Sequence, residues 1–327
     1  MPKVLLISAN REVMPYPVFP LGVAYVESAL AQAGHETRVF DVNCHEPAET
    51  ARALADAAGR FRPDAVGVSV RNIDNLTYPI SQSYLGEIRA LIETCRAAAP
   101  GAPVILGGAG YSLFPVEAVE ALGADVGVIG EAEGRIAAVV EMLAACGLRI
   151  SDCGLRIEEI GGIVYRTENR ICQTRPATPS ELIFPPEGPR RAGLDMAFYR
   201  REGGMGNVQT KRGCPCHCTY CTYPLLEGRR FQTRPADAVA DEVAQLAADG
   251  VEYLYVVDNY FNYPITHAAS VCDALVGRHL SLPWSCFAHP AYLDAGLAAL
   301  MREAGCASVE LGAIPVRRRC SRACARR

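Results

Sequence analysis

Residues Asn207 to Pro224 read NVQTKRGCPCHCTYCTYP. The opening segment, Asn207 to Lys211, is expected to be a strand, and it runs into a loop carrying Cys214, Cys218 and Cys221 in C-x-x-x-C-x-x-C spacing. Thiolates are the protein ligands of iron–sulfur clusters, and a set of three leaves one iron of a [4Fe–4S] cluster open to a ligand from outside the chain. Zinc is the competing reading, with Cys214, Cys216 or His217, Cys218 and Cys221 as its four donors. Structural zinc sites usually draw ligand pairs from separated segments, whereas all of these donors lie between Cys214 and Cys221. A purely structural cluster is a third possibility.

Downstream of the loop, helix and strand patterns alternate. A helix is expected over Pro235 to Asp249, with proline in the first turn, where its missing N–H removes no intrahelical bond. A strand follows at Tyr253 to Val257, ending in Asp258-Asn259-Tyr260-Phe261, then a helix at His267 to Gly277 and a strand at Pro283 to Phe287. Asp294 to Ala304 reads as helix and Ser308 to Leu311 as strand. Such β/α repetition places functional groups at the carboxyl ends of the strands. His289 is expected either to face a substrate or to cap a strand.

The first half shows the same alternation. Lys3 to Ser8 (KVLLIS) is a short apolar run of the kind that forms a buried parallel strand. Further strands are expected at Thr37 to Val42, Asp64 to Val70, Val104 to Leu106 and Val126 to Ile129, separated by helices at Leu21 to Ala33, Ala51 to Arg60, Tyr84 to Ala99 and Val116 to Leu122, and followed by one at Arg135 to Ala145. Five strands alternating with helices imply a doubly wound α/β sheet with its ligand crevice at the strand carboxyl ends. Gly107, Gly108 and Gly110 after the fourth strand are expected to admit a ligand close to the backbone, with Ser112 as a hydrogen-bonding group; plain turn chemistry is the alternative.

These features resemble the cobalamin-binding radical S-adenosylmethionine (SAM) proteins. In the first half the resemblance rests on Pro20-Leu21-Gly22 opening a helix after a Pro-rich loop, Gly34-His35-Glu36, Arg71-Asn72, Gly107-Gly108-Ala109-Gly110 and Gly130-Glu131. In the second it rests on Arg212-Gly213-Cys214-Pro215 with Cys218, Tyr220 and Cys221. It implies a Rossmann-like cobalamin-binding domain over 1–147, a linker over 148–206 containing a hairpin and a Pro-rich stretch, and the first part of a radical SAM partial (β/α) barrel over 207–315. It also implies cobalamin contacts at Pro20, Leu21, Gly22, Arg71, Asn72, Gly107, Gly108, Gly110, Ser112, Gly130 and Glu131. By the same resemblance Cys214, Cys218 and Cys221 hold a 4Fe-4S cluster, Tyr220 lies near the adenine of SAM, Asp258 and Asn259 meet its amino group, and Glu310 meets its ribose.

The Asp-x-His-x-x-Gly motif that supplies a histidine to cobalt in some cobalamin proteins is absent; His45 falls four residues after Asp41 and is expected to be an ordinary surface histidine. The activity implied is methyl transfer to an unactivated carbon through a 5′-deoxyadenosyl radical, on a small-molecule substrate and with an external low-potential electron donor. The alternatives are cyclisation or rearrangement with the same cofactors, and an inactive truncated cobalamin-binding protein.

Fourteen cysteines in a 327-residue chain whose N-terminus is too short in apolar residues for a signal peptide point to reduced thiols rather than a disulfide scaffold. Cys95, Cys146, Cys272 and Cys306 sit in apolar surroundings and are expected to be core residues. No run of about 18 apolar residues is present, so no membrane span and a cytoplasmic location are expected. The net charge of −4 conceals an Arg-rich end: six arginines from Val316 to Arg327 leave 26 basic against 36 acidic residues elsewhere. A nucleic-acid-binding arm is one reading of this segment. The other, preferred because the aperiodic end leaves the last strand as an exposed edge, is an aberrant tail over 316–327, out of frame and truncating the barrel. Two lysines against thirty arginines fit GC-rich coding DNA.

Overall fold

The structure, a computed structural model, describes residues 1–75, 77–146 and 156–312. The Arg-rich segment 316–327 lies outside the described residues. The chain divides into two compact units, one comprising Met1–Pro185 and Pro189–Phe198, the other Pro186–Gly188 and Tyr199–Arg327.

In the first unit, β1 (Lys3–Ser8), β2 (Glu36–Asp41), β3 (Ala65–Ser69), β4 (Val104–Gly107) and β5 (Val126–Val128) form a parallel sheet in the order β2-β1-β3-β4-β5. Alternation along β1 shows why both faces must be covered. Val4 and Leu6 enter one core with α1 (Leu21–Gln32) and α6 (Ile136–Ala145), while Leu5 and Ile7 enter the other with α2 (Pro47–Phe61), α3 (Leu85–Ala98) and α5 (Pro115–Leu122). A short α4 (Ala109–Leu113) precedes α5. Because β1 and β3 are neighbours while the chain reverses direction of progression between them, the switch point lies between the loops that follow these two strands.

The sheet continues past the expected boundary at residue 147. After α7 (Arg156–Glu159), β6 (Ile163–Arg166) pairs antiparallel with β5, and β7 (Ile171–Gln173) pairs antiparallel with β6. The hairpin is where it was expected, but it belongs to the first sheet rather than to a linker over 148–206: Ile163 and Val164 are wholly buried in the cores beside β5.

In the second unit, β8 (Gly206–Val208), β11 (Leu254–Val256), β12 (Trp284–Ala288) and β13 (Cys306–Leu311) form a parallel sheet in the order β13-β12-β11-β8. The strand expected over Asn207 to Lys211 is divided. Its end forms β9 (Lys211–Arg212), which turns away to pair antiparallel with β10 (Gln232–Thr233). Ahead of β8 lies α8 (Met196–Gly203), whose residues from Tyr199 onward belong to this unit, and a short α9 (Tyr223–Leu226) follows the cysteine loop. The crossovers between the parallel strands run through α10 (Ala236–Ala248), α11 (Ile265–Gly277) and α12 (Ala295–Glu303). Val208, Leu254, Val256 and Trp284 pack against Val239 and Val243 of α10 and Val271 and Leu275 of α11. The alternate positions, among them Tyr255, Phe287 and Glu310, leave Phe287 and Glu310 exposed on the other face. A parallel sheet with sequential helices is the arc of a (β/α) barrel.

Of the four cysteines expected in cores, Cys95 and Cys272 are buried, whereas Cys146 and Cys306 are only partly so. His45 stacks on Phe40 with ring centroids 4.4 Å apart.

One glycine is fixed by the backbone alone. Gly108 has φ 99° and ψ 169°, a region open essentially to glycine, and a Cβ there would lie 2.6 Å from the carbonyl oxygen of Val70. Gly108→Ala is expected to destabilise the first unit by about 1–3 kcal/mol, read as a lower urea midpoint with an unchanged slope; a midpoint equal to wild type would refute the assignment.

Candidate functional site

At the carboxyl ends of the first sheet, the glycine loop after β4 does not play the part expected of it. Gly108 and Gly110 are small because the loop lies on the end of β3: the N–H groups of Gly110 and Tyr111 donate to Val70 O at 3.0 and 3.2 Å, and a Cβ on Gly110 would meet Arg71 O at 2.9 Å. Of the three glycines, Gly107 alone has open space where a side chain would be. Ser112 is likewise occupied internally, its hydroxyl donating to Gly108 O at 2.8 Å and accepting from Gly130 N at 2.9 Å. It ties the loop after β4 to the loop after β5.

Pro20 O accepts the first helical N–H of α1, from Ala24, and Gly22 on the first turn has nothing within 4 Å of its Cβ position. Leu21 is partly exposed beside it. Gly130-Glu131 is held by a residue whose role the sequence did not suggest. The guanidinium of Arg135, at the start of α6 and 2% exposed, donates to the carbonyls of Ile129, Glu131, Gly161 and Gly162. Burial lowers its pKa, opposed by Glu181, Glu133 and Glu131. An arginine just before an apolar helix gave only a faint signal of this brace.

Around the switch point, Arg71 is exposed and Asn72 half-buried at the end of β3. Tyr84 donates to Glu12 at 2.6 Å, and this bond, with that from Met14 N and the nearby charge of Arg71, holds the Glu12 carboxyl below its usual range. The Asn72 Oδ1 and both side-chain polar atoms of Asn43, just beyond β2, are enclosed without hydrogen-bond partners. An enclosed amide lacking a partner costs about 1–3 kcal/mol. Asn43 and Asn72 thus flank the end of β1 with unmet polar groups, which fits a ligand fringed with amides, as cobalamin is.

In the second unit the cysteine loop is anchored at its ends. Gly213 adopts φ 90°, its N–H donates to Glu227 Oε2 at 3.1 Å, and Cys214 N donates to Gly228 O at 3.1 Å. Asn259 closes the same anchor, its side-chain amide donating to Gly213 O at 3.2 Å and to Glu227 Oε2 at 2.8 Å. Burial raises the Glu227 carboxyl despite these donors. Between the anchors the loop is irregular, with a turn from Cys221 N to Cys218 O at 3.3 Å.

Cys214, Cys216, Cys218 and Cys221 form no disulfides: Cys214 is buried, Cys218 exposed, Cys216 and Cys221 between. Burial pushes the Cys214 thiol up to about 11. Among the described residues no three His, Cys, Asp or Glu side chains converge closely enough to hold a metal. The donor set suits a cluster, but the sulfurs are not gathered. His217 is exposed and its Nδ1 accepts from Arg229 at 3.1 Å.

The loop's position is set from beneath. Asp258 at the end of β11 is 1% exposed; its Oδ1 accepts from the N–H groups of Thr210 and Lys211 at 2.7 and 3.2 Å, and its Oδ2 from Thr210 Oγ1 and Lys211 Nζ at 2.5 and 2.8 Å. Four donors saturate a carboxylate, so Asp258, expected to meet the amino group of SAM, is a buried structural partner of Lys211. Asn259 keeps only its carbonyl oxygen as a remaining hydrogen-bonding group. Tyr220 is 67% exposed and Glu310 is exposed on β13. His289 caps the turn Pro290–Tyr292, its Nδ1 accepting from Ala291 N at 3.2 Å.

The family described as B12 binding domain matches residues 7–140. This part of the chain is thus similar to B12-binding domains. Over 95% of its length the chain is 29% identical to tryptophan 2-C-methyltransferase from Streptomyces laurentii, covering 59% of that protein. It is 25% identical to cytidylyl-2-hydroxyethylphosphonate methyltransferase from Streptomyces wedmorensis, over 93% of this chain and 63% of that one. The structure of the radical SAM methyltransferase TsrM from Kitasatospora setae, with tryptophan substrate and the SAM analogue aza-SAM bound, superposes with a TM-score of 0.85 and 28% identity, over 98% of this chain and 60% of that one. A second structure of the same enzyme carries cobalamin and a [4Fe-4S] cluster. The chain is therefore strongly similar to the cobalamin-dependent radical SAM methyltransferases, and spans about three-fifths of the length of these relatives. Among the described residues no helix is long and apolar enough to cross a membrane.

The buried pair can be tested through stability. Lys211→Met leaves Asp258 without its cationic partner and is expected to cost about 3–5 kcal/mol, whereas Lys211→Met combined with Asp258→Asn should lose less than the sum of the singles in a denaturant double-mutant cycle. His267, whose Nε2 lies 3.3 Å from Thr210 Oγ1, is held below its ordinary value of 6.5 by burial and by Lys211. The unfolded chain then binds a proton the folded chain does not, so this group's contribution is present above about pH 6.5 and is lost as pH falls through that region. His267→Gln should flatten the decline in stability between about pH 7.5 and 5.5 relative to wild type; parallel curves would refute it.

Proposed function

We propose that this chain is a cobalamin-dependent radical SAM enzyme that transfers a methyl group to an unactivated carbon of a small molecule. The observation carrying this reading is the likeness of 98% of the chain, both units included, to a radical SAM methyltransferase at a TM-score of 0.85. When bound, cobalamin supplies a methyl carrier, while SAM and the cluster supply the methyl group and one-electron chemistry.

Cys214, Cys218 and Cys221 would be the cluster ligands, their loop fixed at its ends by Gly213, Glu227 and Asn259 and adaptable between them. Asn259, with its amide protons occupied, would offer its carbonyl oxygen to the ammonium of SAM. Tyr220 would lie against the adenine and Glu310 against the ribose. Asp258 is not assigned to SAM, since its role is to hold Lys211.

On the first unit, cobalamin would lie over the switch point, bounded by Pro20-Leu21-Gly22, Arg71-Asn72, Gly107 and the Gly130-Glu131 loop that Arg135 braces. Gly108, Gly110 and Ser112 would shape that surface through the backbone of the β3 and β5 loops rather than by touching the ligand. No histidine follows the Asp-x-His-x-x-Gly spacing, so cobalt would lack a histidine from that motif. An external low-potential donor would deliver the electron.

The test is anaerobic reconstitution of the purified chain with iron, sulfide and cobalamin, followed by incubation with SAM and a low-potential reductant. About four irons per chain are expected in wild type, together with cobalamin absorbance and release of S-adenosylhomocysteine or 5′-deoxyadenosine. Cys218→Ala should lose most of the iron and all SAM turnover while retaining cobalamin. Full iron uptake by Cys218→Ala would overturn the ligand assignment, and a fully loaded wild-type chain that turns over no SAM would overturn the enzymatic reading.

A further inference from the structure

The three adjacent strands at the switch point are each followed by an asparagine. Asn10 stands two residues beyond β1, Asn43 two beyond β2 and Asn72 three beyond β3. Ser8 is in register with both Asp41 and Ser69, so the three leave the sheet at nearly one level, in the lateral order Asn43, Asn10, Asn72. The middle one is paired within the fold. Asn10 is 6% exposed, and its side chain donates to Glu12 O at 3.3 Å and accepts from Glu12 N at 3.4 Å. The outer two differ: Oδ1 and Nδ2 of Asn43 and Oδ1 of Asn72 are enclosed without a hydrogen-bond partner.

The backbone that carries Asn43 is braced on both sides. Its own N–H donates to Asp41 Oδ1 at 3.2 Å. Arg11, from the loop after β1, donates to Val42 O at 3.0 Å and His45 O at 3.1 Å, and its other terminal nitrogen donates to Thr50 Oγ1 at 2.5 Å. His45 lies flat on Phe40, with 4° between the ring planes. The turn is therefore fixed by its neighbours, and none of them meets the amide it presents.

We propose that Asn43, together with Asn72, reads the peripheral carboxamides of a corrinoid, so that the site selects the fully amidated ring over rings carrying a free carboxylate there. A primary amide has an acceptor oxygen and a nitrogen with two donors, and its best complement is another primary amide, with which it exchanges a pair of N–H···O bonds. A carboxylate only accepts. It would take a proton from Asn43 Nδ2 but set its charge against Asn43 Oδ1, and it would leave the unmet oxygens of both asparagines without a donor. Sites whose buried polar groups are left unpaired by the wrong ligand discriminate strongly against it. Asn43 lies outside the segments by which the chain resembles its family, and only its environment singles it out.

This inference rests on the cobalamin site proposed above, and its test separates the two. The full chain is titrated at neutral pH with cobalamin and with cobalamin monocarboxylic acids, each having one ring-periphery amide hydrolysed, and dissociation constants are read from absorbance after equilibrium dialysis. The urea midpoint of the cobalamin-free chain is measured beside them. Wild type is expected to bind cobalamin at least about tenfold more tightly than one of the monocarboxylic acids. Asn43→Leu is expected to weaken cobalamin binding about tenfold and to reduce that preference. It should also raise the midpoint of the cobalamin-free chain, because an enclosed amide without a partner is replaced by an apolar group of similar volume. A purely structural asparagine gives the reverse, a lower midpoint with unchanged corrinoid preference. Cobalamin affinity or preference equal to wild type in Asn43→Leu overturns the inference while leaving the cobalamin site intact; a wild-type chain that binds no cobalamin overturns both. If Asn43→Leu does not fold, Asn43→Ala decides by the same binding measurements, and unchanged affinity or preference counts against the inference.

Discussion

The second unit depends on a charge pair that never meets water. Lys211 and Asp258 are both buried, and each desolvated charge is tolerable only because the other and four further polar groups surround it. The pair joins the segment after β8 to the end of β11, so the chain enters the cysteine loop from a fixed point and in a fixed direction. Arg212 and Gly213 follow at once, and the glycine's positive φ turns the chain toward Cys214. A hydrophobic pair of similar volume would stabilise this junction at least as well by general experience. What the ions add is direction, since a carboxylate with four aimed donors admits one arrangement of Thr210 and Lys211.

Much of this was legible in the sequence. The β/α alternation of both halves, the strand ends and the hairpin near residues 163–174 follow from apolar periodicity and from glycine and proline punctuation, because local steric preference and tertiary burial ask for the same thing there. The extent of the first sheet was not legible. Ile163 to Arg166 is a short apolar run, and nothing within it says whether it pairs with β5 or lies in a linker; that is decided by the uncovered edge of β5, which is not a local property.

The site residues divide along similar lines. Spacing alone singles out Cys214, Cys218 and Cys221 as a donor set, because thiol chemistry belongs to residue type. It does not reveal that Asp258 is already saturated, since whether a carboxylate at a strand end faces a ligand or a neighbouring lysine is settled by packing. Nor does it reveal Arg135, whose four carbonyl partners come from two separate turns. The glycines after β4 show the same ambiguity from the other side. A glycine is required wherever anything approaches the backbone closely, and at Gly108 and Gly110 what approaches is the end of β3.

Polar groups that the fold leaves unmet carry a different kind of information from those it satisfies. Asp258 and Ser112 are fully engaged and explain how loops are held. The side-chain amide of Asn43 and the Oδ1 of Asn72 are enclosed and unpaired, and the fold bears their desolvation without return from its own atoms. Proteins seldom retain such groups unless something outside the chain meets them. That both stand at the carboxyl ends of strands adjoining β1, at the switch point of a sheet similar to B12-binding domains, links an energetic defect of the isolated fold to the cobalamin site proposed above.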